Sequence, residues 1–139
     1  RLDLDVEGAL LLTNDGELGN RLMHPKYEIQ KVYMAWVRGR VTQEDAARLQ
    51  RGVKLEDGIT APAGIDILER QSDRTLVRLC LYEGRKREVK RMLDEIGHRV
   101  ISLRRVSVAG IDAQGLRVGE WRYLGKQEVL QLMRLAGMA

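Results

Sequence analysis

Arg-Leu-Asp-Leu-Asp-Val-Glu-Gly-Ala-Leu-Leu-Leu-Thr-Asn-Asp-Gly-Glu-Leu-Gly-Asn-Arg-Leu-Met-His-Pro, residues 1–25, opens the chain. Asp3 stands just ahead of an apolar run that reads as a buried strand over residues 9–13. Asn14 or Asp15 then caps a short helix with Glu17 in its first turn, and His24-Pro25 stops it. His24 on this reading serves the helix terminus and is not a metal ligand. Taken by itself, Asp3 is a turn or capping residue. Its meaning depends on what lies downstream.

Downstream, alternation puts Ile29, Lys31, Tyr33, Ala35 and Val37 on one face of a strand over residues 28–38. Thr42-Gln-Glu-Asp45 starts a helix that runs to about Arg51 and stops at Gly52. Strands near 61–69 and 74–82 flank the polar stretch Arg70-Gln-Ser-Asp-Arg74, a hairpin loop. Residues 87–96 form a helix with Val89, Met92, Leu93 and Ile96 inward, stopped by Gly97. His98 reads as a surface turn residue before a strand over 99–106. Gly119-Glu-Trp121 turns into a short strand, and a helix from about Lys126 to Leu135 follows. Hairpins and helices without a βαβ rhythm predict an α+β domain, with a mixed, mostly antiparallel sheet flanked by helices.

The chain has 139 residues, enough for one domain with its own core, and apolar residues make up 44% of them. No apolar run approaches the roughly 20 residues that span a bilayer. The single cysteine, Cys80, has no internal disulfide partner and reads as a small buried hydrophobe in a reducing cytoplasm. No cysteine pair, His-x-x-x-His spacing or phosphate-cradling glycine loop is present, so no metal and no cofactor is expected.

Net charge is only +4, but its distribution is uneven. Residues 85–105 hold eight Arg or Lys against three acids, and Glu83-Gly-Arg-Lys-Arg-Glu-Val-Lys-Arg-Met92 is the densest part. Such a cluster is either a solvated basic helix face or the electrostatic footprint expected for a phosphate backbone. With four Tyr, two Trp and no Phe, broad single-strand binding by stacking is not the main mode. An isolated carboxylate and a cationic cluster suit an enzyme acting on a polyanion.

Residues 1–25 resemble the second motif of the RsuA/RluB family of ribosomal RNA pseudouridine synthases, whose essential aspartate falls on Asp3. Four further segments follow in that family's order. His24-Pro-Lys-Tyr-Glu-Ile-Gln-Lys-Val-Tyr33 resembles its tyrosine motif, and Leu55-Glu-Asp-Gly58 with Thr60-Ala-Pro62 its mid-domain segment. Glu83–Met92 resembles its third motif, with Lys90 at a position of Arg or Lys. Val100-Ile-Ser-Leu-Arg-Arg105 resembles the element whose leucine, here Leu103, packs under the substrate base. Val6, Ala9 and Gly19 depart from the usual residues. The chain also begins at Arg1 without a Met, and the resemblance implies a catalytic domain over 1–139 that lacks N-terminal strands and an S4-like RNA-binding domain.

The resemblance implies isomerisation of uridine to pseudouridine in ribosomal RNA, with the large-subunit RNA favoured. Asp3 would start the reaction as a nucleophile or by removing a sugar proton. Tyr33 would stack on the extruded uracil and move a proton at C5, and Leu103 would form the apolar floor. Lys90 is expected to pair with Asp3 and keep it ionised. Arg1, Arg85, Lys86, Arg87, Arg91, Arg104 and Arg105 are the expected RNA-binding residues. The expected partner is ribosomal RNA or a pre-ribosomal particle, met in the cytoplasm by a monomer, with no membrane and no small-molecule cofactor. The alternative is a non-catalytic RNA-binding or ribosome-assembly module of the same fold. Retention of Asp3, Tyr33 and Lys90 together argues against it, because binding alone needs no such set.

Overall fold

The computed structural model describes residues 1–139. In chain order the first half comprises β1 (Glu7–Gly8), α1 (Gly16–Met23), a 3-10 turn (Pro25–Tyr27), β2 (Lys31–Arg38), α2 (Gln43–Arg51), β3 (Lys54–Leu55) and β4 (Gly58–Ile59). The second half comprises β5 (Gly64–Arg70), β6 (Arg74–Leu81), α3 (Glu88–Glu95), β7 (Val100–Val108), β8 (Ile111–Asp112) and α4 (Lys126–Leu135). The main sheet runs β1-β7-β2-β6-β5, with β8 on the end of β7. Only β1 and β7 run parallel; the other pairs are antiparallel. This is the α+β arrangement that the pattern predicts. The separate β3–β4 hairpin is too short to have been read from alternation.

Local chemistry sets the helix ends. Asp15 accepts the Leu18 N–H at 3.0 Å and caps α1. Thr42 and Asp45 form a reciprocal capping box on α2, and Gly52, at φ +103°, ends it. On α3, Val89, Met92 and Leu93 are buried, with Ile96 at its C-cap. They complete a core with β2, α2, β3, β5 and β6. A second core gathers Leu18 of α1, Val108, Ile111 and Leu132 of α4 at the other end of β7. No helix is long and apolar enough to cross a membrane.

Several expectations fail for identifiable reasons. Residues 9–13 are not a strand: pairing with β7 ends at Gly8, and Leu10 and Leu12 are exposed. Gly119–Trp121 leads into no strand; Trp121 and Tyr123 instead stack edge to face at 5.0 Å on the surface. His98 is buried, its ring nitrogens 2.8 Å from the Arg38 carbonyl and 2.8 Å from Asp45 Oδ2. It ties the end of β2 to the start of α2, a long-range contact that its place after Gly97 does not reveal. Cys80 is only half-buried, with Gln30 Nε2 donating to its Sγ at 3.0 Å.

The alternation along β2 is also imperfect, and this shapes the site. β7 carries an extra residue opposite Val32/Tyr33 and again opposite Trp36/Val37. Such bulges re-aim side chains. Val32, Ala35 and Val37 are buried, while Lys31 and Tyr33 are left half-exposed.

Candidate active site

A cleft of about 1010 Å³ opens where the N-terminal loop, α1, the first half of β2, the loop after β6 and the start of α3 meet. Asp3, Tyr33, Lys90 and Leu103 all line it, although they come from four distant stretches of sequence. Tyr33 and Leu103 are half-buried and lean on the main core, which fixes an apolar wall. Arg1, Arg85, Lys86, Arg87 and Arg105 line the same cleft.

The N-terminal loop is held on β7 by the backbone and side chain of Arg105. The Ala9 N–H donates to the Arg105 carbonyl at 2.8 Å, and Arg105 Nε donates back to the Ala9 carbonyl at 2.9 Å. Gly8 lies between them at φ +135°, and a Cβ there would collide with the Arg105 backbone. Upstream, the Val6 N–H donates to the Asp3 carbonyl at 3.1 Å, closing a turn at the edge of the cleft that Asp3 lines.

Lys90 does not make the expected ion pair with Asp3. Its Nζ donates to Asp5 Oδ1 at 2.6 Å instead. The turn closed by Asp3 and Val6 brings the second aspartate of Leu-Asp-Leu-Asp over α3, two residues beyond the expected one. The hydrogen bond from Lys90 holds the Asp5 carboxyl below its ordinary value. Lys90 thus pins the loop that carries Asp3 without neutralising Asp3 directly.

The cations divide into two groups. Lys86, Arg87 and Arg1 are exposed on the cleft and make no ion pair. Arg85 is occupied inside the protein, donating to the carbonyls of Gly58 at 3.1 Å and Ile59 at 2.8 Å. Arg91 grips Asp57 with two bonds of 2.8 and 3.2 Å. Together they staple the β3–β4 hairpin to the cationic loop. Arg105 is buried, and Arg104, though exposed, lies outside the cleft. The structure therefore brings only part of the expected RNA-binding set together; the rest is structural or points elsewhere.

A family model described as RNA pseudouridylate synthase matches residues 1–95. The chain belongs to the RNA pseudouridylate synthase family. It is 47% identical over 138 residues to ribosomal large subunit pseudouridine synthase B of Bacillus subtilis (strain 168), covering 98% of this chain and 57% of that protein. An uncharacterised RNA pseudouridine synthase of Aquifex aeolicus (strain VF5) is 44% identical, over 99% of this chain and 55% of its own length. The chain thus spans little more than half the length of these relatives. A crystal structure of a pseudouridylate synthase superposes with a TM-score of 0.88 at 33% identity, covering 94% of this chain and 56% of that one.

Three residues of this cleft escape the sequence reading. Burial, and then the charge of Arg105, lowers the Lys31 ammonium below its ordinary value, against the pull of Glu88 and Glu83. Burial and contact with Glu83 push Glu88 up to about 7. Burial also pushes Glu83 up, but hydrogen bonds from Glu88, the Ala61 N–H and Arg85 outweigh it and hold Glu83 low. Lys31 shares a strand face with Tyr33, and that was the available signal. Glu83 and Glu88, lying among cations, read as solvated charges.

Proposed function

We propose that this chain carries the catalytic site of an enzyme that isomerises uridine to pseudouridine in ribosomal RNA, that of the large subunit. The supporting observation is the convergence of Asp3, Tyr33, Lys90 and Leu103 on one cleft, with unpaired cations at Arg1, Lys86 and Arg87. Its volume suits a nucleotide taken out of the stack. The name of the Bacillus subtilis relative favours the large-subunit RNA. The reaction is placed in the cytoplasm, on ribosomal RNA or a pre-ribosomal particle, with a monomer using its own side chains.

The isomerisation balances in atoms: the bond from C1′ to N1 breaks, one from C1′ to C5 forms, C5 loses a proton and N1 gains one. Asp3 serves as the nucleophile at the sugar or as the base that removes a sugar proton; a carboxylate is competent for either. Leu103 supports the base from below, and Tyr33 offers a ring to stack on it. Lys90 acts through Asp5, holding the Asp3 loop on α3.

Tyr33→Phe keeps the ring and removes the hydroxyl. RNA affinity is expected to hold while the single-turnover rate falls by about 10²-fold or more, the scale of a positioned proton-transfer group. An unchanged rate would assign Tyr33 to stacking alone. Lys86→Ala with Arg87→Ala removes two exposed cleft cations. The slope of log affinity against log salt should fall by about 1.4, the single-strand value for two phosphates; an unchanged slope would remove both from the RNA path. The reading as a whole is tested by incubating the chain with unmodified large- and small-subunit RNA and mapping pseudouridine in each. Product in the large-subunit RNA is expected, and none in either RNA would contradict it.

A further inference from the structure

Glu88 begins α3 in the middle of the densest cationic run, yet it is only 4% exposed. Its Oε1 accepts the Arg85 N–H at 2.8 Å. Its Oε2 is buried and receives no N–H or hydroxyl. The side chain it meets is Glu83, whose own Oε1 accepts the Ala61 N–H at 2.8 Å. A buried carboxyl oxygen that no donor reaches is satisfied by carrying a proton itself, and a protonated Glu88 can donate it to the neighbouring Glu83 carboxylate. Lys31 faces the pair from β2, Arg105 faces Lys31 from β7, and Arg85 lies 3.5 Å from Glu83 Oε2.

We propose that Glu88 is a positioning residue of the cleft: it shares one proton with Glu83, and that proton keeps the loop Glu83–Arg87 closed on the β4–β5 connection. The closed loop presents Lys86 and Arg87 to the cleft. That these cations then hold RNA rests on the function proposed above; the lock itself does not.

The geometry makes the lock dependent on pH in one direction. Within the closed loop the Glu88 carboxyl is raised from 4.5 to about 7. Opening lets water reach it and restores the ordinary value. Closure is therefore fully supported at acid pH, weakens about tenfold per pH unit between those two values, and levels off above about 7. Glu83, held low, is already ionised across that window and does not alter the slope. Glu88→Gln keeps an acceptor for the Arg85 N–H and a permanent donor for Glu83, without a titrating proton.

The test is amide-exchange protection of Arg85 and Ala61 in the full chain at about pH 5.5 and about pH 7.5, corrected for intrinsic exchange. In the parent chain, protection is expected to fall about twentyfold between the two. Glu88→Gln should stay protected at both, and Glu88→Ala at neither. Equal protection at the two pH values in the parent, or the same fall in Glu88→Gln, overturns the proposal. Exchange is read without RNA, so the two readings fail separately. Pseudouridine formation with pH-independent protection sinks the lock alone, whereas a pH-dependent lock with no pseudouridine upholds it and counts against the proposed reaction.

Discussion

Asp3→Asn is expected to fold like the parent and to lower the single-turnover rate on unmodified ribosomal RNA by about 10⁴-fold, the upper range for loss of a positioned acid–base group. That corresponds to about 5.5 kcal/mol of transition-state stabilisation. Two structural facts separate chemistry from stability here. Only the backbone of Asp3 is engaged, its carbonyl accepting the Val6 N–H at 3.1 Å. Its carboxylate makes no ion pair, Lys90 being held by Asp5. An amide of the same shape therefore removes no folding contact, and unfolding should shift by less than about 0.5 kcal/mol, as for a surface change. An amide is neither base nor nucleophile, so the loss falls on the reaction. A variant retaining more than a tenth of the rate would show that another group, with the cleft-lining Glu88 the first to examine, does the chemistry.

Leu93→Ala should be the most costly of the simple core truncations in α3. Leu93 is 0% exposed and belongs to the main core. Removing its side chain costs about 2–5 kcal/mol, transfer and cavity terms together. Because α3 also carries Glu88 and Lys90, the loss should loosen the cleft as well. Leu12→Ala is the control. Leu12 is 83% exposed, so its truncation should change stability by less than about 0.5 kcal/mol. Urea unfolding at an unchanged m-value measures both. A multi-kcal/mol loss at Leu12 would mean that the Leu-rich segment is covered in solution.

These two leucines also show what could be read from sequence and what could not. Leu93 lies on a helical stripe with Val89, Met92 and Ile96, and that periodicity is a local property that correctly predicts burial. Leu12 lies in an equally apolar run, but burying a strand needs a partner, and the N-terminal segment pairs with β7 only at Glu7 and Gly8. Pairing partners are not local information. The site divides in the same way. Asp3, Tyr33, Lys90 and Leu103 were legible as motif residues and share the cleft. Which aspartate meets Lys90 depends on a turn set by the Val6 N–H, and charge spacing does not encode that. Arg85 and Arg91 read as phosphate ligands because a sequence displays cations without their partners. The partners, the β3–β4 carbonyls and Asp57, lie in the hairpin that alternation was too short to reveal. Glu88 was hidden for the complementary reason: an acid among five cations reads as solvated, and only the fold shows it buried against Glu83.

The most direct test of the central claim is tritium release from unmodified ribosomal RNA labelled at C5 of uridine, run with the chain and its Asp3→Asn variant side by side. Forming a bond from C1′ to C5 must expel the C5 hydrogen, so release reports the isomerisation itself rather than RNA binding. Release matched mole for mole by pseudouridine in the digested RNA, and abolished in the variant, is the result predicted here. RNA binding without release by the parent chain would contradict it and would favour a non-catalytic RNA-binding module on the same fold.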